Sequence, residues 1–558
     1  MKKGKQIIII LYLLAIAVFY YITIPAINIH SMGLWIFVAF FVCVPMFLNG
    51  LVNGISERKS LREMLHGSQK IWLCSFFIII GLMVAIAVYG EPFFHAKGYA
   101  SILKIEEKDF SEDIDESQVL SKVALMDTDS ARILGNRKIG SLSDVVSQFD
   151  VAYEYTQIDF QGSPLKVAPL EYAGFFKFFA NRKNGVPGYV TVDPVGQSTH
   201  YIKGKKGMKY VPSAYLQKDL ARHIRFRYPT AIFENLHFEI DEKGNPYYVA
   251  SVMDYKIGLF GGATVKGVIT CDPISGDTKY YKKEDIPTWV DMAFWGDLLV
   301  EQFDWYGTYN NGFINSLFAK KGCRKSTETN RGGGDDENSI PDYGYIAKEG
   351  DIWIYTGVTS VNGDASNIGF IMVNERTGEA HYFSIPGADE NSAMNSAEGE
   401  VQEKRYRASF PSLINVQGEA TYIMLLKDAN DIVKMYAMVN VEQYNLVTTG
   451  ETITECYDAY CKLTGLTASE EVKEGEKQED EENTVEKEFT VEKVELIVTK
   501  GETFVYLVDD ENRIYKQKFS EDETLLLLQK KDHVKATCVE DENGTFTMKK
   551  VERMEISE

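Results

Sequence analysis

Gly267-Val-Ile-Thr-Cys-Asp-Pro-Ile-Ser-Gly276, followed by Tyr280-Tyr281, is one copy of a phrase that this chain repeats. It reads as an apolar strand, a turn built on Asp and Gly, and an aromatic strand, which is the pattern of a β-hairpin. Gly188-Tyr-Val-Thr-Val-Asp-Pro-Val-Gly196 leads in the same way to His200-Tyr201. Gly369-Phe-Ile-Met-Val-Asn-Glu-Arg-Thr-Gly378 leads to His381-Tyr382-Phe383. A degenerate fourth copy runs from Lys434-Met-Tyr-Ala-Met-Val-Asn-Val to Tyr444-Asn-Leu-Val. One further strand precedes each hairpin, starting at Leu165, Tyr247, Trp353 and Thr421. Helical patterns at 213–226 and 395–408 stand ahead of two copies, and aromatic–Pro pairs follow them at Tyr228-Pro229 and Phe410-Pro411. The unit is one helix packed on an antiparallel sheet. Its irregular spacing argues against a solenoid and for duplication of a small α+β module.

The helix, the Gly244-Asn-Pro-Tyr-Tyr-Val strand and the Gly267–Tyr281 hairpin resemble the PepSY module, most clearly over 213–283. The whole chain resembles multi-span envelope proteins of Gram-positive bacteria with PepSY-like repeats. That resemblance implies an extracytoplasmic module that regulates peptidases or mediates protein contacts. It implies no catalytic residue.

Outward from the repeats, the N-terminus is apolar. Stretches at 6–27, 33–52 and 71–90 are each about 20 residues, enough to cross a hydrocarbon core of roughly 30 Å. Lys2, Lys3, Lys5, Arg58, Lys59, Arg62 and Lys70 flank them on one side. Basic residues near span ends stay cytoplasmic. The expectation is a three-helix membrane anchor over 1–90, multi-pass in the cell membrane. The N-terminus is then cytoplasmic and the large C-terminal part extracytoplasmic. The spans contain no Asp, Glu, Lys or Arg, which suits an anchor better than a conduit.

The soluble part divides into a first α+β module at 91–202, a PepSY-like module at 203–287, a helical and loop insert at 288–338 and further repeats at 339–465. Residues 466–488 are dominated by Glu, Lys and Asp and read as a disordered linker. Residues 489–558 carry five strand patterns in a short span, which suggests a small OB-like β-barrel. The fold class expected is thus membrane-anchored α+β: three transmembrane helices, repeated helix-on-sheet modules and a C-terminal OB-like barrel.

The formal net charge is −21, and a basic face for nucleic acid is not evident. No nucleophile elbow, zinc-binding His-Glu motif, Walker loop or dinucleotide fingerprint stands in a suitable context. No catalytic, metal or cofactor site is therefore expected. Asp241, Glu242, Asp254 and Asp272 lack EF-hand spacing and read as turn-forming acids. Cys271, Cys323, Cys456, Cys461 and Cys538 show no disulfide framework and read as thiols. Arg222, His223, Arg225 and Arg227 crowd one helix and form a candidate partner contact, and serine at the three arginines is expected to leave the fold intact. Trp295, Trp305 and Tyr306 belong to an aromatic stretch that is either core or a second contact. The reading is a non-enzymatic, membrane-integral envelope protein that binds a protein or peptide partner, with a homo-oligomer as a further option. The alternatives are an accessory subunit of a membrane complex, or a cell-wall hydrolase or peptidase.

Overall fold

A computed structural model describes residues 2–43, 68–114, 123–195, 198–327, 343–361, 366–468, 485–499, 502–511, 513–519, 525, 527–540 and 545–554. The chain forms two compact units, Met1–Ala468 and Ser469–Glu558.

The repeat is larger than the sequence reading has it. Each copy is a four-stranded antiparallel meander. After a short strand Ile105–Glu107 (β1), the first meander is Thr156–Phe160 (β2), Ser163–Tyr172 (β3), Val186–Val192 (β4) and Thr199–Met208 (β5). The second is Phe233–Ile240 (β6), Pro246–Ile257 (β7), Gly261–Cys271 (β8) and Thr278–Lys282 (β9). The third is Gly344–Lys348 (β10), Asp351–Ser360 (β11), Gly369–Asn374 (β12) and Ala380–Phe383 (β13). The fourth is Ser412–Val416 (β14), Glu419–Lys427 (β15), Val433–Asn440 (β16) and Val447–Gly450 (β17). Neighbouring strands pair in chain order within each meander, and β1 adds to the third by running parallel to β13.

In each meander an Asx side chain closes the turn between the third and fourth strands. The side-chain oxygen of Asp193, Asp272, Asn374 or Asn440 accepts from the backbone N–H of Val195, Ile274, Arg376 or Gln443, every one at 2.8 Å. An Asx side chain thus substitutes for a backbone acceptor and fixes the turn. Asp241 does the same between β6 and β7, accepting from Lys243 and Asn245.

Successive meanders share hydrophobic cores. Ile158, Val190, Phe238 and Ile269 join the first and second. Val249, Val268, Phe294 and Ile371 join the second and third. Tyr355, Phe370, Tyr422 and Ala437 join the third and fourth. Lys427 of the fourth bonds Asp127, which caps a helix of the first. The four are therefore linked back to their start.

The expected membrane anchor requires correction, and with it the transmembrane fold class and the multi-pass localisation. Among the described residues, no helix is long and apolar enough to cross a membrane. Apolar residues do form helices here, at Lys2–Thr23 (α1), Met32–Val38 (α2) and Ser68–Tyr89 (α3). Among the described residues the second stretch makes a seven-residue helix and a five-residue π turn at Ala39–Cys43, and its remainder, 44–52, lies outside them. Together they rise roughly 18 Å at 1.5 Å per residue. The end of α1 docks on the second meander, where Ile27 N–H donates to the Pro229 carbonyl at 2.7 Å.

Further helices are Thr128–Gly140 (α4), Phe175–Asn181 (α5), Leu220–Arg227 (α6), Gly296–Tyr309 (α7), Glu390–Glu400 (α8) and Ile453–Thr464 (α9). The helix expected at 213–226 starts only at Leu220, after a short 3-10 turn at Leu216–Lys218. The helix expected at 395–408 lies earlier, at α8. The end of the expected insert, at 328–338, lies outside the described residues, and so does most of the expected linker, at 469–484.

In the second unit Val485–Thr499 (β18), Glu502–Asp509 (β19), Ile514–Lys518 (β20), His533–Glu540 (β21) and Thr545–Met554 (β22) close into a barrel in the order β18-β19-β20-β22-β21. β20 and β22 run parallel and the other pairs antiparallel. A closed barrel leaves no free sheet edge.

Candidate functional site

Three meanders meet at one buried segment, residues 290–294. The N–H groups of Asp291 and Met292 donate to the two oxygens of Glu239 on β6, both at 3.0 Å. His237 Nε2 lies 2.7 Å from Glu239 Oε1. Asp291 Oδ2 accepts from the Asp159 N–H of the first meander at 2.9 Å. Ser251 Oγ of the second donates to the Ala293 carbonyl at 2.7 Å. Phe294 N–H donates to the Glu375 carbonyl of the third, also at 2.7 Å.

Charge gathers at this junction. Glu239, Asp291, Glu375 and Lys166 are all buried. Burial, and then the charge of Glu239, push the carboxyl groups of Asp291 and Glu375 well above the usual carboxylate range. Burial pulls Lys166 down to about 8, against the pull of Asp127 and Glu375 in the other direction. Asp291 Oδ1 and both Glu375 carboxylate oxygens make no hydrogen bond. No group of three His, Cys, Asp or Glu side chains could hold a metal ion among the described residues.

Two open clefts lie elsewhere, and none of these buried acids lines either one. The larger, about 750 Å³, runs between the third and fourth meanders. On one side are Glu107, Lys108, Asp109 and Ser111, at and just beyond the edge strand β1. On the other are Glu419, Asn440, Glu442 and Gln443, at the turns of the fourth meander. Asp109 caps the short helix Phe110–Asp113, and Glu419 accepts from Asn440 Nδ2 at 2.9 Å. Glu107 and Glu442 are exposed to solvent. The second cleft, about 600 Å³, lies between α4 and the fourth meander, around the Asp127–Lys427 bond.

The basic helix is used within the chain. Arg222 Nε donates to the Tyr21 carbonyl at 3.0 Å, and its guanidinium lies 4.4 Å from the centre of the Tyr21 ring. Arg225 is buried, and its Nε donates to the Ile24 carbonyl at 2.9 Å. These carbonyls end α1 and have no partner within that helix, a position that favours cations. His223 Nε2 lies 2.7 Å from the Gly276 carbonyl oxygen. Burial, with Arg227 and Lys218 nearby, lowers His223 to about 4. Arg227 donates to the same carbonyl at 2.8 Å.

The aromatic candidates are likewise engaged. Trp295 is the N-cap of α7 and packs against the core shared by the second and third meanders. Trp305 meets Tyr99 edge-on at 4.9 Å. Tyr306 packs against that same core. The sequence reading missed the buried acids and Lys166. Their signal is a charge inside an apolar strand, as in Phe238-Glu239-Ile240 and Leu165-Lys166-Val167.

No family model matches the chain. No curated protein matches it significantly. Among solved structures, a B. megaterium levansucrase variant is similar at 10% identity and TM-score 0.18, over 82% of this chain and 99% of that one. An exo-1,5-α-L-arabinanase from a bovine ruminal metagenomic library is similar at 10% identity and TM-score 0.16, over 72% and 99%. An ACO/RPE65 chimera is similar at 11% identity and TM-score 0.16, over 55% of this chain and 62% of the chimera. At such scores neither fold nor activity carries over.

Proposed function

We propose that this protein is a non-enzymatic binding protein, and that the groove between the third and fourth meanders takes an extended, cationic peptide segment. The observation that carries this reading is the groove itself. It is about 750 Å³, open, flanked by an edge strand, and acidic at Glu107 and Glu442. An edge strand offers backbone groups to an extended chain, and acidic side chains select basic residues in it. Asp291 and Glu375, whose carboxyl groups burial pushes up, lie in the buried junction and do not line the groove.

The test compares a Lys/Arg-rich peptide with its Glu-rich counterpart by fluorescence anisotropy. The unaltered protein should prefer the basic peptide, and a Glu107→Lys, Glu442→Lys variant should lose that preference. Equal binding of both peptides by both proteins defeats the reading. So does cleavage of either peptide.

A further inference from the structure

β5 and the end of α5 build a cationic face on a strongly acidic chain. From Gly174 to Lys209 there are seven Lys and Arg against one acid, Asp193. Arg182, Lys183, Lys203, Lys205 and Lys206 are exposed, and no ion-pair partner faces them among the described residues. The backbone brings the two stretches together. Val186 pairs with Met208 and Gly188 with Lys203, so the register shifts and Lys205 and Lys206 stand in a bulge of β5 beyond its regular edge at Thr199–Lys203, and a Cβ on Gly185 would lie 2.6 Å from the Met208 carbonyl oxygen. The turn bearing Arg182 and Lys183 therefore lies against the strand that bears the lysines. Phe176, also on α5, is 83% exposed.

β5 is also a sheet edge, with β4 as its paired neighbour. Lysines on an edge strand ordinarily keep other strands away. That accounts for Lys203, Lys205 and Lys206. It does not account for Arg182 and Lys183, which belong to a separate turn, or for a phenylalanine left in solvent.

We propose that this face binds an acidic, extended peptide segment of a partner protein, added as a further strand on β5. Unpaired backbone groups of the edge supply the hydrogen bonds, the five cations select acidic side chains, and Phe176 supplies an apolar anchor. A long polyanion such as nucleic acid would meet the field of a chain carrying −21 overall, whereas a short acidic segment meets mainly the local charge. The face belongs to the first meander and is independent of the groove reading above.

The probe is a fluorescent peptide of about ten residues alternating Glu with Val, read by anisotropy on the full chain. Charge reversal by Lys203→Glu, Lys205→Glu and Lys206→Glu should weaken binding at least about tenfold. Phe176→Ser should weaken it about threefold. The Glu107→Lys, Glu442→Lys groove variant should bind this peptide at least as well as the parent, and circular dichroism should show each variant folded. Because Lys203, Lys205 and Lys206 are exposed, a misfolded triple variant would be replaced by Arg182→Glu, Lys183→Glu, with the same loss expected. Absence of binding, or binding unchanged by charge reversal, overturns the proposal. An oligonucleotide or an anionic vesicle that displaces the peptide at equal charge concentration overturns it as well.

Discussion

The Asp291 backbone N–H donates to Glu239 Oε2 at 3.0 Å, while the Asp291 side chain accepts from Asp159 on a different meander. One residue thus joins the first and second meanders by its two ends. Glu239 in turn satisfies the N–H groups of both Asp291 and Met292, with His237 against the same carboxylate. Glu239→Ala would leave two buried N–H groups without an acceptor. It should destabilise the first unit by about 2–5 kcal/mol. Urea unfolding measures this, and Glu239→Gln, which keeps one acceptor oxygen, should cost less.

Protonation enters at a second buried acid. Glu390, at the start of α8, accepts from the Gly357 N–H through Oε1 at 2.7 Å, while Oε2 has no partner. Burial pushes its carboxyl from the ordinary 4.5 up to about 7. With a raised folded pKa, its contribution is fully present below about 4.5 and is lost as pH rises to about 7. The loss is on the order of 3 kcal/mol. Glu390→Gln keeps the Gly357 bond and does not ionise. The stability difference between variant and parent should therefore grow across that window and then level off, as unfolding curves at several pH values would show. A constant difference would mean that Glu390 does not titrate there.

Gly276 has φ of +83°, and a Cβ there would lie 2.5 Å from the Tyr210 ring. Its carbonyl accepts from Arg227 and lies against His223 Nε2. Gly276→Ala should cost about 1–3 kcal/mol, from backbone strain and overpacking together. Gly350 is a useful control. Its φ is also positive, +81°, but nothing lies within 4 Å of its Cβ position. Gly350→Ala should cost less, and thermal melts of the two variants separate crowding from strain.

The hairpins were legible because Asp193, Asp272, Asn374 and Asn440 act locally, each closing a turn within a few residues of itself. The first strand of each meander was not. β6 contains Glu-Asn-Leu-His-Phe-Glu, whose last acid, Glu239, makes sense only beside Asp291 and Met292, about fifty positions away. Arg222 and Arg225 show the opposite failure. Their clustering was visible, but their partners are carbonyls at the end of α1, 201 residues off. Replacing them with serine should therefore unfold the contact with α1 and not merely alter a surface. The apolar stretches at 6–27 and 33–52 misled for a related reason. Hydropathy does not register the change from α to π geometry at Ala39 or the docking of Ile27 on Pro229.

The barrel of the second unit has its own core, built from Phe489, Val491, Val505, Leu507, Tyr515, Val534 and Phe546, and its own buried acid. Asp509 Oδ2 accepts from Arg513 Nε at 2.7 Å and from the Tyr515 hydroxyl at 3.1 Å, and Oδ1 accepts from the Arg513 N–H at 2.8 Å. Burial works against the charge, but the bonds from Arg513 and Tyr515 hold the carboxyl below its usual range. A depressed folded pKa gives stability that is present above the unfolded value and lost as pH falls through the folded one. A fragment spanning 485–558 should therefore fold alone at neutral pH and lose stability in acid. Asp509→Asn, which removes the charge, should cost about 1–3 kcal/mol at neutral pH and nearly nothing in strong acid. Circular dichroism of both fragments against pH tests this. A parent fragment without β structure at neutral pH would mean that the closed barrel does not stand by itself, and equal acid sensitivity in the two would mean that Asp509 is not its source.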